Sequence, residues 1–163
     1  MHEIAKGLCG LALAALAVAP ASAAGVVSEK NLSLDLAKAI AEGAIAACRQ
    51  NGWHVTVTVL DRAAQVRAQL RDDGANLFTV ENSYRKAYTA RNFDMPSEDF
   101  AKSVPSNPVR QAQATLQGVI ALGGGLPIRA GNETIGAIGV SGSPGKDAVC
   151  AQAGIDKVAD ELK

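Results

Sequence analysis

The sequence predicts an α/β (α+β) fold with one antiparallel sheet, and three observations support this. Apolar residues recur at helical spacing over 34–50. Segments 53–60 and 65–71 instead alternate with a period of two, which is typical of strands. The strands follow one another in pairs joined by short turns, which favours antiparallel pairing over a doubly wound parallel sheet.

The first residues are typical of an export signal. Lys6 precedes an apolar run over 7–18 that is too short to cross a bilayer as a helix. The small residues Ala21-Ser22-Ala23 then match the pattern that signal peptidases cleave. We therefore predict a cleaved signal peptide at 1–23 and a single domain over 24–163, in a periplasmic or secreted protein. A buried N-terminal helix is the alternative interpretation.

The charge balance excludes two kinds of partner. The chain carries 16 Lys and Arg against 16 Asp and Glu, without a basic stripe or a charged run. This argues against a nucleic-acid partner and against a polybasic membrane patch. Beyond the signal no apolar stretch reaches the length of a transmembrane helix, so we expect no membrane insertion after cleavage.

Two cysteines, Cys48 and Cys150, remain once Cys9 leaves with the signal. An even pair in an oxidising compartment favours a disulfide. Two separate buried cysteines are the alternative. If the first and last helices cover one face of the sheet in opposite directions, a bond between the two cysteines is geometrically possible.

The first half of the domain is predicted to be a helix and a hairpin. Ser33 caps the helix over 34–50, and Asn51-Gly52 ends it because both residues tolerate a left-handed conformation. The strands 53–60 and 65–71 then form the hairpin.

An acidic turn, Asp72-Asp73-Gly74, follows the hairpin and leads into a central helix that ends near Phe93. The two carboxylates of this turn could bind free iron through oxygen ligands. More often such residues simply form the turn.

The second half is predicted to return to the sheet after an irregular stretch. Pro96 breaks the central helix, and the prolines at 105 and 108 indicate a loop beyond a short helix capped by Ser97. The remaining predicted elements are strands at 119–122, 126–129 and 134–141 and a final helix at about 146–162.

The central segment 72–93 is the best candidate for a binding site. It holds both tyrosines and two of the three phenylalanines of a chain with only 4% aromatic residues. Helical spacing gives it rings, cations and a hydroxyl on two adjacent faces, a composition suited to a flat anionic ligand. The alternative is a surface helix whose tyrosines pack on the sheet and whose cations are solvated. The two faces carry Glu81, Tyr84 or Arg85, and Tyr88 on one side, and Lys86, Thr89 or Ala90, and Phe93 on the other.

Five segments carry a resemblance to a known family: VTVTVLD at 55–61, RDDGA at 71–75, RKAYTARNF at 85–93, ALGGGLPIR at 121–129, and IGAIGVSG at 135–142, which Asp147 follows. In this order and at these spacings, the chain resembles the GlcG/HbpS-like haem-binding family over essentially the whole mature domain. The resemblance implies a profilin-like α/β sandwich, with one antiparallel sheet of about five strands between helices. It also implies homo-oligomers, from dimers up to octamers.

The family's reported roles are haem binding, in some members haem degradation, and sensing of haem or iron stress, for which a sensor protein is the expected partner. For this chain the resemblance implies haem as the cofactor and at most a weak haem-degrading activity. A non-catalytic oligomeric interaction module and a corrinoid- or small-ligand-binding domain are the alternatives. The haem contacts are predicted to be Tyr84, Arg85, Lys86, Tyr88, Thr89 and Phe93.

Within this set, Arg85 and Lys86 are suited to the haem propionates. By resemblance Thr89, or a tyrosine of the same helix, is predicted to ligate the iron. His54 is the only histidine left after signal removal, so counting excludes a bis-histidine site within one subunit. We interpret His54 as a partly exposed strand residue. No residue is predicted to be catalytic.

Overall fold

The computed structural model describes residues 25–163, so the predicted signal peptide lies outside the described residues. Within this range no helix is long and apolar enough to cross a membrane. The helices are α1 (Leu34–Arg49), α2 (Phe78–Phe93), α3 (Ser97–Ser103), α4 (Pro108–Gln113) and α5 (Asp147–Asp156), and the strands are β1 (Thr56–Asp61), β2 (Val66–Arg71), β3 (Gly125–Ala130) and β4 (Glu133–Ser141). Two short 3-10 turns lie at Val104–Ser106 and at Ala159–Leu162, so the predicted final helix ends earlier than expected.

The four strands form one antiparallel sheet in the order β2-β1-β4-β3. In the hairpin, Val57 of β1 faces Leu70 of β2. On the other side of β1, Val57 faces Val140 of β4, and β4 pairs with β3 so that Ile138 faces Leu126. The predicted fold class is confirmed, with four strands instead of about five.

Helices α1 and α5 cover one face of the sheet together. Alternate side chains of β1 and β4, including Val57, Val59 and Val140, are fully buried there. They belong to one apolar cluster with Ile40 of α1 and Ala151 of α5. Burial of this face is the main source of stability.

A disulfide between Cys48 and Cys150 joins the last turn of α1 to the first turn of α5. Of the two interpretations that the sequence left open, the bonded pair is the one found. The bond therefore ties together the two helices that share this face.

Helix α2 covers the opposite face and lies flat against β1 and β4 through small, polar contacts. The hydroxyls of Thr56 and Thr79 are 2.7 Å apart, and those of Thr58 and Ser83 are 2.8 Å apart. A Cβ on Gly139 would lie 2.0 Å from the carbonyl oxygen of Ser83, so only glycine permits this approach. These contacts set the rotation of α2 about its own axis.

The predicted strand at 119–122 is wrong, because this segment is irregular. Side chains from α2 and α3 form hydrogen bonds with backbone groups of this segment. The segment is therefore held against these helices and adds no strand to the sheet. Arg85 donates to the carbonyl of Val119 (2.6 Å), the hydroxyl of Thr89 accepts from the N–H of Ile120 (2.9 Å), and Ser97 donates to the carbonyl of Leu122 (2.7 Å).

Candidate functional site

Helix α2 carries all six predicted contact residues, but it directs them to different surroundings. Tyr84 and Arg85 line a cleft opposite residues 114–118. Lys86 instead lines two clefts beside Asp147. The structure therefore does not gather the predicted residues into one pocket, because adjacent positions on the helix face different neighbours.

The cleft beside Tyr84, which we call the tyrosine cleft, has a volume of about 530 Å³ and is lined by Glu81, Tyr84, Arg85 and residues 114–118. The Tyr84 and Tyr88 rings pack with their centroids 5.8 Å apart. Arg85 is held by its bond to Val119 and lies 3.4 Å from the Glu81 carboxylate. The cleft thus offers aromatic surface beside one fixed cation.

Thr89 and Phe93 lie outside this cleft. The Thr89 side chain is fully buried, and its hydroxyl contacts the carbonyl of Arg85 at 2.9 Å as well as the backbone of Ile120. Phe93 stacks on Phe100 with ring centroids 4.4 Å apart, and the guanidinium of Arg110 lies 5.1 Å from the Phe93 centroid. Iron ligation by Thr89 stays a prediction, and it would require the hydroxyl to leave these backbone partners.

Lys86 forms a buried ion pair that the sequence analysis did not identify. Its side chain is only 5% exposed, and Nζ lies 2.6 Å from Oδ2 of Asp147. Nζ also donates to the carbonyl of Val140 at 3.2 Å. The other carboxylate oxygen accepts from the N–H and the hydroxyl of Ser143, both at 2.8 Å. The Asp147 carboxylate therefore accepts hydrogen bonds from three donors, which are Nζ of Lys86 and the N–H and hydroxyl of Ser143.

Two clefts meet at this pair. The glycine cleft, of about 320 Å³, is lined by Leu122, Gly123, Gly124 and Gly145 together with the pair. The Phe78 cleft, of about 250 Å³, is lined by Asn76, Phe78, Asn82 and Gly142 together with the pair. Lys86 and Asp147 thus form a shared wall between two openings on the surface.

His54 belongs to a second polar cluster, near the start of α2. It precedes β1 instead of lying within the strand as predicted, and its side chain is 56% exposed. Its Nδ1 lies 3.4 Å from Oδ2 of Asp72, a carboxylate with only 1% exposure. Nε of Arg49 donates to both oxygens of this carboxylate at 3.0 Å. These hydrogen bonds from Arg49 hold the pKa of Asp72 below its usual value.

Two large apolar side chains form an exposed patch at the start of α2. Leu77 is 77% exposed and Phe78 is 62% exposed, at consecutive positions where α2 begins. Large apolar side chains exposed side by side commonly mark a binding surface. The contacts predicted from the sequence begin at Tyr84, so they do not include these two residues.

The comparisons with known proteins agree with the resemblance. The family model described as haem degrading protein HbpS-like matches residues 32–156. A double mutant of HbpS from Streptomyces reticuli is 32% identical with a TM-score of 0.77, over 86% of this chain and 97% of that one. The structure of a PduOC–heme complex is 26% identical with a TM-score of 0.73, over 78% and 95%.

A sequence relative is the uncharacterised 15.0 kDa protein of the dhaT-dhaS intergenic region in Citrobacter freundii. It is 29% identical over 128 residues, which are 77% of this chain and 90% of that protein. The family match spans every strand of the sheet and helices α1 to α5. The chain therefore belongs to the HbpS-like family of haem-degrading proteins.

Proposed function

We propose that this chain is an exported protein that binds haem on helix α2. The observation that carries the proposal is the HbpS-like family match over 32–156. A structural neighbour solved as a complex with heme supports the same ligand class.

The residues around α2 fit the needs of a haem. Haem requires apolar surface for the macrocycle, cations for its propionates and a ligand for its iron. The exposed ring of Phe78 and the ring of Tyr84 supply apolar surface on two sides of the helix. Arg85 supplies a fixed cation, and a tyrosine phenol is a known type of iron ligand.

The predicted contact set stays part of the proposal, and because its members lie on two flanks of α2, the proposal includes two positions for the haem. On the first flank the haem would lie in the tyrosine cleft. On the second it would lie against Phe78, with Lys86 at the inner end of the cleft. The predicted contacts Tyr84 and Arg85 line the first flank, where Tyr88 packs on Tyr84, and Lys86 lines the second. Thr89 is buried and Phe93 packs on Phe100, so neither lines a cleft of these two flanks.

Other parts of the proposal rest on the sequence alone. The predicted signal at 1–23 supports a periplasmic or secreted location. Homo-oligomers and a role in sensing haem or iron stress, with a sensor protein as partner, follow from the resemblance. Bound haem supplies iron with its own oxygen chemistry, and we attribute any haem degradation to this chemistry and not to an acid–base pair of the chain.

A hemin titration tests the proposal. The tag-free protein is titrated with ferric hemin while the Soret band is recorded, beside the variants Tyr84→Ala/Arg85→Ala and Phe78→Ala. Val66→Ala, which removes an exposed apolar side chain on the edge strand β2, is the matched control. We expect saturable binding by the wild-type and control proteins and weaker binding when the occupied flank is altered. If the wild-type protein shows no saturable change, haem binding is wrong and the interaction-module alternative takes its place.

A further inference from the structure

We infer that His54 ligates the haem iron through Nε2, with Asp72 as its positioning residue. This inference rests on the proposed function and places the haem on the Phe78 flank of α2.

The first step is the orientation of the imidazole. Nδ1 of His54 lies 3.4 Å from Oδ2 of the buried Asp72 carboxylate, and the His54 side chain is 56% exposed. Histidines that ligate metals commonly use one nitrogen for the metal and anchor the other on a carboxylate. His54 has such a carboxylate beside its Nδ1.

The second step is the rigidity of the anchor. The Asp72 carboxylate is buried, it accepts two hydrogen bonds from Nε of Arg49 at 3.0 Å, and it accepts the N–H of Asp73 at 2.8 Å. A carboxylate held by these donors cannot swing away from the imidazole. The turn that the sequence predicted at this position therefore also sets the direction of the histidine ring.

The third step is the apolar surface beside the ring. Gly74 packs on the imidazole, since a Cβ there would lie 3.6 Å from Cγ of His54. Three and four residues further on, Leu77 and Phe78 expose their side chains to solvent. A porphyrin lying beside His54 would cover these side chains, which gives them a partner of suitable chemistry.

The fourth step connects His54 to the Phe78 cleft. Gly142 lines this cleft, and a Cβ at Gly142 would lie 2.5 Å from the carbonyl oxygen of His54. The cleft thus begins beside the backbone of His54 and ends at the buried ammonium group of Lys86. It contains the apolar ring of Phe78 and the Lys86–Asp147 pair, and it adjoins the backbone of His54 at Gly142.

The chemistry of the ligands also favours His54 over Thr89. A neutral imidazole binds iron without losing a proton, whereas a hydroxyl must be deprotonated to bind well. The imidazole is exposed, while the hydroxyl of Thr89 is buried among backbone partners. Ligation by His54 needs no rearrangement of the fold.

Spectroscopy of the haem complex tests the assignment. The tag-free chain over 24–163 contains one histidine, His54, and Val66→Ala, at an exposed position of the edge strand β2, is the matched control. We expect the wild-type and Val66→Ala complexes to show the absorbance and electron paramagnetic resonance signals of a histidine-ligated ferric haem. His54→Ala should lose these signals and bind hemin at least about tenfold weaker, and added imidazole should restore the signals.

A second variant tests the positioning role. Asp72→Asn keeps the shape of the side chain but removes its charge, so haem should still bind while the reduction potential of the iron rises. An unchanged resonance spectrum in His54→Ala, whose fold is checked by circular dichroism, overturns the ligand assignment while haem binding stands. Absence of saturable hemin binding by the wild-type protein instead overturns the proposed function, and the ligand assignment with it.

Discussion

Lys86 and Asp147 lie 61 positions apart in the chain and form a buried ion pair between α2 and the start of α5, with Nζ 2.6 Å from Oδ2. The two helices cover opposite faces of the sheet, so this pair connects the two layers directly. Because buried charges are destabilising when they lose their partner, the pair makes the two layers dependent on each other.

Lys86→Met tests this dependence. The variant leaves the Asp147 carboxylate without its cation, so the free energy of unfolding should fall by about 3–5 kcal/mol. Lys86→Met/Asp147→Leu removes both charges, so its free energy of unfolding should fall by less than that of Lys86→Met. Urea unfolding measures both values. Lys102→Met, which removes an exposed pair with Glu98, is the control and should change stability by less than about 1 kcal/mol. If Lys86→Met and Lys102→Met lower the free energy of unfolding equally, the two layers do not depend on the Lys86–Asp147 pair.

Gly139→Ala tests the close approach of α2 to the sheet. The added Cβ would collide with the carbonyl oxygen of Ser83, and backbone atoms cannot move aside cheaply. We expect a loss of about 3 kcal/mol or more in urea unfolding. Gly123→Ala is the control, since its Cβ would meet the Glu98 side chain at 3.2 Å. If both variants are equally stable, the contact at Gly139 is not tight.

Removal of the disulfide should lower stability strongly. Cys48 and Cys150 are separated by 102 positions, and in the chain-entropy account a loop of this length contributes about 4–5 kcal/mol. Urea unfolding of the wild-type protein with and without a reductant should show this loss. Cys48→Ala/Cys150→Ala should match the reduced protein and be insensitive to reductant, and a reductant effect in this variant would point to another cause.

The Asp72 carboxylate should make stability depend on pH. Hydrogen bonds from Arg49 lower its pKa in the folded protein below the usual 3.8. The ionised Asp72 carboxylate therefore makes its full contribution to the free energy of unfolding above pH 3.8. This contribution is lost as the pH falls through the lower pKa of the folded state. Asp72→Asn should be less stable than the wild-type protein at neutral pH, and the two should converge in acid. Unfolding midpoints across this range measure the gap, and a constant gap would contradict the assignment.

Elements with local signals were predicted well from the sequence. Ser33 caps α1 as expected, with its hydroxyl accepting from the N–H of Leu36 at 3.2 Å. The hairpin followed from its period-two pattern. The segment 119–122 has a strand-like composition, but its backbone partners come from Arg85, Thr89 and Ser97, which no local pattern reveals.

The candidate site was predicted less completely than the fold. Its helix was identified, but the surface that each residue faces depends on the rotation of α2, which Gly139 and the hydroxyl pairs set across the sheet. The partner of Lys86 lies on α5, far along the chain. The link between His54 and Asp72 likewise exists only once the hairpin has folded, so the sequence indicated a turn and an isolated histidine.

The disulfide has a consequence for proteolysis. The bond encloses all four strands and α2, and also the largely exposed residues 105–117, where a protease would cut first. A single cut there leaves two fragments that remain covalently joined at α1 and α5. The nicked protein should migrate as one species until a reductant separates it, and its sheet and the surface around His54 should survive the cut.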